Sequence, residues 1–123
     1  MAIHYTFHVE GGVLRFRTWG FDESREEVEA YGVAVIAAAL EAGAARILCD
    51  ERELEYRLGT FDTYRAAEYI AATAPRVARI ALVCDPRFAD DAQFWENVVV
   101  NRGLSLRFFQ EIEAAERWLA APK

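Results

Sequence analysis

ARILCD, residues 45–50, is the stretch that decides the fold: a short apolar run that closes on a carboxylate, with helical patterns on both sides. Such a run predicts a fully buried strand of a parallel sheet. Residues 79–85, RIALVCD, have the same form and also end in Cys-Asp. Neighbouring strands lie about 4.8 Å apart, so two parallel strands here place Asp50 and Asp85 at one edge of the sheet. In open α/β sheets, ligands bind at that edge.

The composition fits one globular domain spanning residues 1–123, because 54% of the residues are hydrophobic and 13% are aromatic. The formal net charge of −6 argues against a nucleic-acid partner, since phosphates require clustered Lys and Arg. No apolar stretch reaches the roughly 20 residues of a membrane span. The N-terminus also lacks the pattern of a signal peptide. We therefore expect a cytoplasmic protein with reduced thiols.

A β-hairpin is predicted at the start of the chain. Residues 3–9 alternate between apolar and polar, and residues 13–19 follow after a Gly-Gly turn signal at positions 11–12. A two-residue loop sets Phe7 opposite Phe16, which gives one apolar face and one polar face. This asymmetry is typical of a hairpin at the edge of a sheet, with one face in contact with solvent.

Apolar residues at helical spacing predict four helices. The first begins at a capping box formed by Ser24 and Glu27. The second begins with Thr60 as its N-cap and ends at Pro75. The remaining two follow the last two strands.

The first helix has more apolar surface than one core stripe requires. Residues 33–40 carry no charge, and Val33, Ile36 and Leu40 lie off the stripe that faces the sheet. A second apolar face on a helix indicates that another helix or another chain packs against it. The cover is either another helix of this chain or a second copy, so a homodimer through helix one is one of two alternatives.

The predicted element order is β-β-α-β-α-β-α-β-α. Because crossover connections are right-handed, the last four strands are expected to be parallel and the first antiparallel at the edge. The predicted fold class is α/β, with a mixed five-stranded sheet packed by four helices.

This order resembles, over essentially the whole chain, the SpoIIAA-like or STAS fold of anti-sigma-factor antagonist domains. Within that fold it looks most like the bacterial branch described as STAS/SEC14-like. The resemblance rests on packing patterns in residues 7–16, 46–50, 79–83, 108–109 and 115–119.

The resemblance implies a signalling module that binds a protein partner without catalysis. In such domains a Ser or Thr at the start of the helix after the third strand is phosphorylated. Thr60 holds that place here, matched by position only, because residues 59–63 lack the usual Asp-Ser-Ser/Thr-Gly pattern.

A polar cluster is predicted where the strands end. Its members are Asp50, Arg52, Thr60, Asp85, Arg87 and Gln110, with Trp19 and Asp22 from the hairpin side. As a partner or ligand site, the cluster offers Thr60 at a helix N-terminus, able to bind or receive a phosphate, and two arginines to pair with an anion. As a purely structural set, the aspartates accept hydrogen bonds from loop amides and Thr60 caps its helix.

Other chemistry in the chain is weaker. Asp50 and Asp85 are suitable Mg²⁺ ligands, but the only lysine is Lys123 and no second acidic residue lies directly beside Asp85, so we predict no metal and no cofactor. Cys49 and Cys84 lie in apolar strands and are predicted to be buried, inert thiols.

Three functions remain open, in order of preference. The first is a STAS-type interaction or regulatory module that binds a partner through residues 50–61 and the start of the second helix. The second is a SEC14-like carrier of a small apolar molecule or lipid, which needs a cavity of roughly a few hundred Å³. The third is an enzyme using Asp50 and Asp85, which needs a carboxylate with a strongly shifted pKa in a cleft.

Overall fold

The structure is a computed structural model that describes residues 2–74 and 79–122. Within these ranges it has five strands: β1 (Ile3–Glu10), β2 (Val13–Phe21), β3 (Arg46–Glu55), β4 (Arg79–Cys84) and β5 (Ser105–Phe109). The α-helices of the same ranges are α1 (Arg25–Ala42), α2 (Thr60–Thr73), α3 (Ala89–Asn101) and α4 (Ile112–Ala120). A short 3₁₀ turn, Pro86–Phe88, precedes α3.

The strands form one sheet in the order β1-β2-β3-β4-β5. β1 is antiparallel to β2, and the other neighbouring pairs are parallel. The predicted element order and fold class are therefore confirmed. The two Cys-Asp strands are neighbours, with Asp50 opposite Val83 and Glu51 opposite Cys84.

Helices cover the two faces of the sheet unequally. The larger core cluster joins one face of the strands to α1, α2 and α3, through residues that include Phe16, Val35, Cys49, Ala67 and Val99. The smaller cluster joins the opposite face to α4, through Leu48, Ala81, Val83, Ala115 and Leu119. Side chains alternate along each strand, so Leu48 and Cys49 belong to different clusters. The three-helix side is the side that encloses the cavity described below.

The ends of α1 and α2 differ in detail from the prediction. Ser24 is the N-cap of α1 and accepts the amide of Glu27 at 3.2 Å. The Glu27 carboxylate does not complete the capping box, because it accepts the amides of Ala2 and Ile3 at 2.8 and 3.2 Å. The prediction that Thr60 caps α2 was wrong by one residue, since Gly59 is the N-cap. Pro75, the predicted end of the helix, lies outside the described residues.

The extra apolar surface of α1 is covered in part by α2. Gly32 lies so close to Ile70 of α2 that an added Cβ would stand within 3.0 Å of the Ile70 Cγ1 atom. Ile36 is half-buried and lines a cavity beneath the helices. Val33 and Leu40 remain exposed, by 45% and 56%. Another helix of this chain, α2, therefore covers this face near Gly32, while Val33 and Leu40 stay uncovered.

Gly20 near the end of β2 shapes the entry to α1. It has a φ of +101°, and a Cβ there would overlap the carbonyl oxygen of Ala2. The next amide, that of Phe21, donates to the same oxygen at 3.2 Å, and the amide of Asp22 donates to Glu55 at 3.0 Å. Glycine at position 20 therefore lets β2 pass close to the start of β1. The two hydrogen bonds hold the backbone of Phe21 and Asp22 in place.

Candidate functional site

Asp50 lies within β3 and not at its end. β3 continues to Glu55 because β2 is long enough to pair with it, with Trp19 opposite Glu53 and Phe21 opposite Glu55 after an irregularity in register. The Arg52 guanidinium grips the Asp50 carboxylate at 2.9 and 2.8 Å. Burial acts to raise the pKa of Asp50, but the hydrogen bonds from Arg52 prevail and hold it below its ordinary value.

Asp85 has a similar arrangement at the end of β4. Its carboxylate accepts the amide of Arg87 at 2.8 Å and caps the 3₁₀ turn. The Arg87 guanidinium lies 3.3 Å from the other carboxylate oxygen. Each aspartate is thus paired with the arginine two residues after it. This pairing is what we expect if both aspartates have only a structural role.

The start of α2 is exposed and its N-terminal amides have no side-chain cap within the described part of the chain. Thr60, the first residue of the helix, is exposed. Phe61 is 68% exposed, more than any other large hydrophobic residue that the structure describes. The Arg65 guanidinium lies 5.8 Å from the Phe61 ring. In the preceding loop, the Arg57 guanidinium lies 3.8 Å from the ring centre of Phe21 and pairs with Glu55.

The remaining members of the predicted cluster separate. Gln110 is exposed directly after β5. Trp19 is half-buried and stacks on His4, with ring centres 6.0 Å apart. Asp22 is buried and lines a cavity.

That cavity has a volume of about 90 Å³ and lies between the sheet and the three-helix layer. Its walls are mostly apolar, with Val28, Val35, Leu54, Ile70, Ile80 and Leu82 among the lining residues. The polar and aromatic lining residues are Asp22, Glu51, Cys49, Tyr31, Tyr56 and Trp95. The cavity is thus small and mostly apolar, and its lining includes two carboxylates, Asp22 and Glu51, that interact electrostatically.

Glu51 is a buried carboxylate, only 6% exposed. The Tyr56 hydroxyl donates to its Oε1 atom at 2.6 Å. Burial raises the pKa of Glu51 from 4.5 to about 7; the Tyr56 hydrogen bond opposes this rise and the charge of Asp22 adds to it. Glu51 therefore changes charge near neutral pH.

Asp22 is 9% exposed, and its carboxylate makes no hydrogen bond among residues 2–74 and 79–122. Burial raises the pKa of Asp22 from 3.8 to about 7, and the negative charges of Glu27 and Asp91 add to the rise. Two acids whose ionised forms are both disfavoured thus line the same cavity.

The sequence reasoning missed Glu51, although a signal for it was present. Residues 47, 49 and 51 alternate along one face of β3, and the first two are apolar core residues. The period of two places Glu51 on the core side. The run of charged residues that follows Glu51 hides this period.

The cysteines are buried, as predicted. Cys49 pairs with Leu82 across the strands and Cys84 with Glu51, so the thiols are not direct opposites. Burial raises the pKa of both thiols, that of Cys84 to about 11. A thiol with a raised pKa is a poor nucleophile at neutral pH, as expected for an inert cysteine.

Two searches for particular features concern the described residues only. In residues 2–74 and 79–122, no group of three or more His, Cys, Asp or Glu side chains is arranged to hold a metal ion. No helix in those ranges combines the length and the apolar character needed to cross a bilayer.

The sheet order, the single antiparallel pair and the unequal helix layers define an α/β fold of the SpoIIAA-like, or STAS, type. Among solved structures, the chain is similar to an anti-sigma factor antagonist from Mycobacterium paratuberculosis, with 12% identity and a TM-score of 0.63 over 97% of this chain and 95% of that one. It is also similar to the anti-sigma factor antagonist SpoIIAA in its unphosphorylated form, with 16% identity and a TM-score of 0.51 over 96% and 100%.

A third similar structure is an uncharacterized protein with a SpoIIAA-like fold from Shewanella loihica, with 19% identity and a TM-score of 0.51 over 97% of this chain and 94% of that one. No family model matches the chain, and no curated protein does. At these identities the likeness defines the fold.

Proposed function

We propose that the protein is a cytoplasmic, non-enzymatic regulatory module of STAS type that binds a protein partner through residues 50–61 and the start of α2. The observation that carries the proposal is the exposure of Phe61, at 68%, on a helix start without a side-chain cap. The fold shared with two anti-sigma factor antagonists supports it.

The surroundings of Phe61 have the composition of an interface. Aromatic side chains are enriched among the residues that carry most of the binding energy, and they are usually ringed by polar groups. Arg57, Asp62 and Arg65 supply charges on the loop and on the first two turns of α2. A partner that covers Phe61 would bury apolar surface that the monomer leaves in water.

Replacing Phe61 by alanine is expected to weaken the partner complex at least about 30-fold, the effect of losing an anchor residue worth about 2 kcal/mol. The free energy of unfolding should change by less than about 0.5 kcal/mol, because the side chain is exposed. Partner recovery from the host by tagged protein, followed by titration with the recovered partner, measures the effect. Val100→Ala, which removes a 47% exposed apolar side chain on α3, is the matched control. Equal binding by both variants would contradict the assignment.

We further propose that Thr60 receives a phosphate that switches partner binding. The free amides at the start of α2 and the helix dipole favour a negative charge there. In protein isolated from its host, we expect phosphate on Thr60 and none on Thr63, which is buried. Mass spectrometric mapping makes this test. Thr60→Glu should lower partner affinity about tenfold or more, and Thr60→Val should not. An unmodified Thr60 in both free and partner-bound protein would refute the switch.

The proposal also includes a homodimer through α1, based on the exposed Val33 and Leu40. Light scattering at high protein concentration is expected to give the mass of two chains. Leu40→Glu should convert the protein to a monomer, because a charge on an apolar contact costs more than the contact gains. Glu41→Gln, an exposed change next to it, should leave the dimer intact. A strict monomer at all concentrations would remove this part of the proposal.

The geometry disfavours a lipid carrier and an enzyme that uses Asp50. A lipid carrier needs roughly a few hundred Å³ of cavity, and the cavity present holds about 90 Å³. An enzyme using Asp50 as a general acid needs a raised pKa at that residue, and hydrogen bonds from Arg52 lower it; the carboxylates with a raised pKa are Asp22 and Glu51 in the cavity.

A further inference from the structure

We propose that the cavity beneath α1 binds a small organic cation, an ammonium group on a short hydrocarbon body, between the carboxylates of Asp22 and Glu51. This inference does not depend on partner binding: residues 50–61 contribute Glu51, Leu54 and Tyr56 to the cavity lining, whereas the exposed Phe61 is not part of it. It concerns a ligand much smaller than a lipid.

The first argument is the Asp22 carboxylate, which is 9% exposed and lines the cavity without a hydrogen-bond partner among the described residues. A buried polar group normally has a partner, and a buried carboxylate without one is costly. A ligand that donates hydrogen bonds from inside the cavity would supply what the chain does not.

The second argument is the sign of the charge. The described lining residues include two carboxylates and no Arg or Lys. The other charges that act on these two groups, from Glu27, Asp50 and Asp91, are also negative. No positively charged side chain of the described lining therefore balances the negative charges of Asp22 and Glu51 when they ionise. The complementary ligand is positively charged.

The third argument separates an organic cation from a metal ion. The cavity lining is mostly aliphatic, and it also includes the aromatic rings of Tyr31, Tyr56 and Trp95. Aromatic faces attract ammonium groups, and aliphatic walls suit a hydrocarbon body. The lining contributes only two carboxylates, and no group of three or more His, Cys, Asp or Glu in the described residues is arranged to hold a metal ion.

The volume sets the size of the ligand. An engineered cavity of roughly 150 Å³ holds a benzene molecule. At about 90 Å³, this cavity suits an ammonium group with a body of about four carbons. Isobutylammonium is a suitable probe, with isobutanol as a neutral analogue of similar shape and isovalerate as an anionic one.

The test is a titration of the full chain at pH 8 with each probe, followed by the ¹H–¹⁵N resonance of the Trp95 indole. We expect isobutylammonium to saturate with a Kd of about 1 mM or below. Asp22→Asn and Glu51→Gln should each raise that Kd about tenfold or more, since each removes a charge-assisted hydrogen bond. Glu41→Gln, the exposed control, should leave it unchanged. Using two separate variants keeps the test decisive if one of them fails to fold.

The pH dependence adds a second readout. The titrating groups at the cavity are Asp22 and Glu51, while Tyr31, Tyr56 and Cys49 stay neutral because burial raises the pKa of each. Of the elements around the cavity, α1 contributes Glu27, α3 contributes Asp91, and α2 contributes only the apolar Ile70. Affinity for isobutylammonium should therefore rise about tenfold from pH 5.5 to pH 8. Affinity for isobutanol should stay constant.

Three outcomes would overturn the inference. The first is the absence of any Trp95 shift with isobutylammonium at about 50 mM. The second is equal or tighter binding of isobutanol or isovalerate, which would mean that the charge is irrelevant. The third is a response to Mg²⁺ or Ca²⁺ alone that both Asp22→Asn and Glu51→Gln abolish, which would make the pocket a metal site.

Discussion

Replacing Glu51 by glutamine is expected to stabilise the protein by about 3 kcal/mol more at pH 8 than at pH 4. The pKa of this carboxyl is 4.5 ordinarily and about 7 in the folded protein. That difference of about 2.5 pH units corresponds to about 3 kcal/mol at about 1.4 kcal/mol per unit. Glutamine keeps the oxygen that accepts the Tyr56 hydroxyl and cannot ionise.

The sign follows from proton binding. Below the ordinary value, the folded and unfolded chains both carry the proton, and the wild-type protein has its full stability. Between 4.5 and about 7, the unfolded chain releases the proton while the folded chain keeps it, so stability falls as the pH rises. Above about 7, both states are ionised and the loss is complete. The glutamine variant avoids this loss.

Urea unfolding at pH 4, 6 and 8 measures the difference between the variant and the wild type. Glu41→Gln, an exposed glutamate on α1, is the control and should change the free energy of unfolding by less than about 0.5 kcal/mol at every pH. A Glu51→Gln effect that is the same at pH 4 and pH 8 would mean that the carboxyl ionises normally and is not buried as described.

Replacing Phe16 by alanine is expected to cost about 4 kcal/mol of unfolding free energy. Phe16 is 1% exposed, and its ring centre lies 5.5 Å from that of Tyr5 and 4.8 Å from that of Phe7. The substitution leaves a void between β2 and α1 that the neighbouring rings fill only in part. Small domains have about 5–15 kcal/mol in all, so the variant should lose a large share of its stability and unfold at a clearly lower urea concentration than the wild type.

The matched control is Phe7→Ala, on the opposite strand and in register with Phe16. Phe7 is 51% exposed, so its removal should cost about 1 kcal/mol. Urea unfolding of the two variants at one pH makes the comparison. Equal costs would show that Phe7 is buried as deeply as Phe16, which contradicts the structure.

The parallel pair at the centre of the sheet could be predicted because a strand buried on both faces has a continuous apolar run. The runs at residues 47–49 and 80–84 have this form, and their adjacency in the sheet is confirmed. The hairpin register was also predictable, because a two-residue Gly-Gly loop leaves one pairing that keeps Phe7 and Phe16 on one side.

The site was harder to predict from the sequence, because its chemistry depends on which side chains are buried. Glu51 has the same side chain as the exposed Glu53, and a period of two would place both on the core side. The irregularity in register between β2 and β3 after Asp50 instead leaves Glu53 exposed and buries Leu54. Asp22 was grouped with the strand-end arginines, since nothing in the sequence shows which way a residue between β2 and α1 turns. Asp50 and Arg52 are close in sequence, but their spacing alone does not predict that the Arg52 guanidinium forms two hydrogen bonds with the Asp50 carboxylate.

The central claim, that residues 50–61 and the start of α2 bind a protein partner, is tested most directly by site-specific cross-linking in the host. A photoreactive phenylalanine analogue replaces Phe61 in one chain and Val100 in the other, both at exposed positions. The account predicts one discrete cross-linked partner from position 61 and none of that mass from position 100. The same cross-linked product from both positions, or a product from position 100 alone, would contradict it.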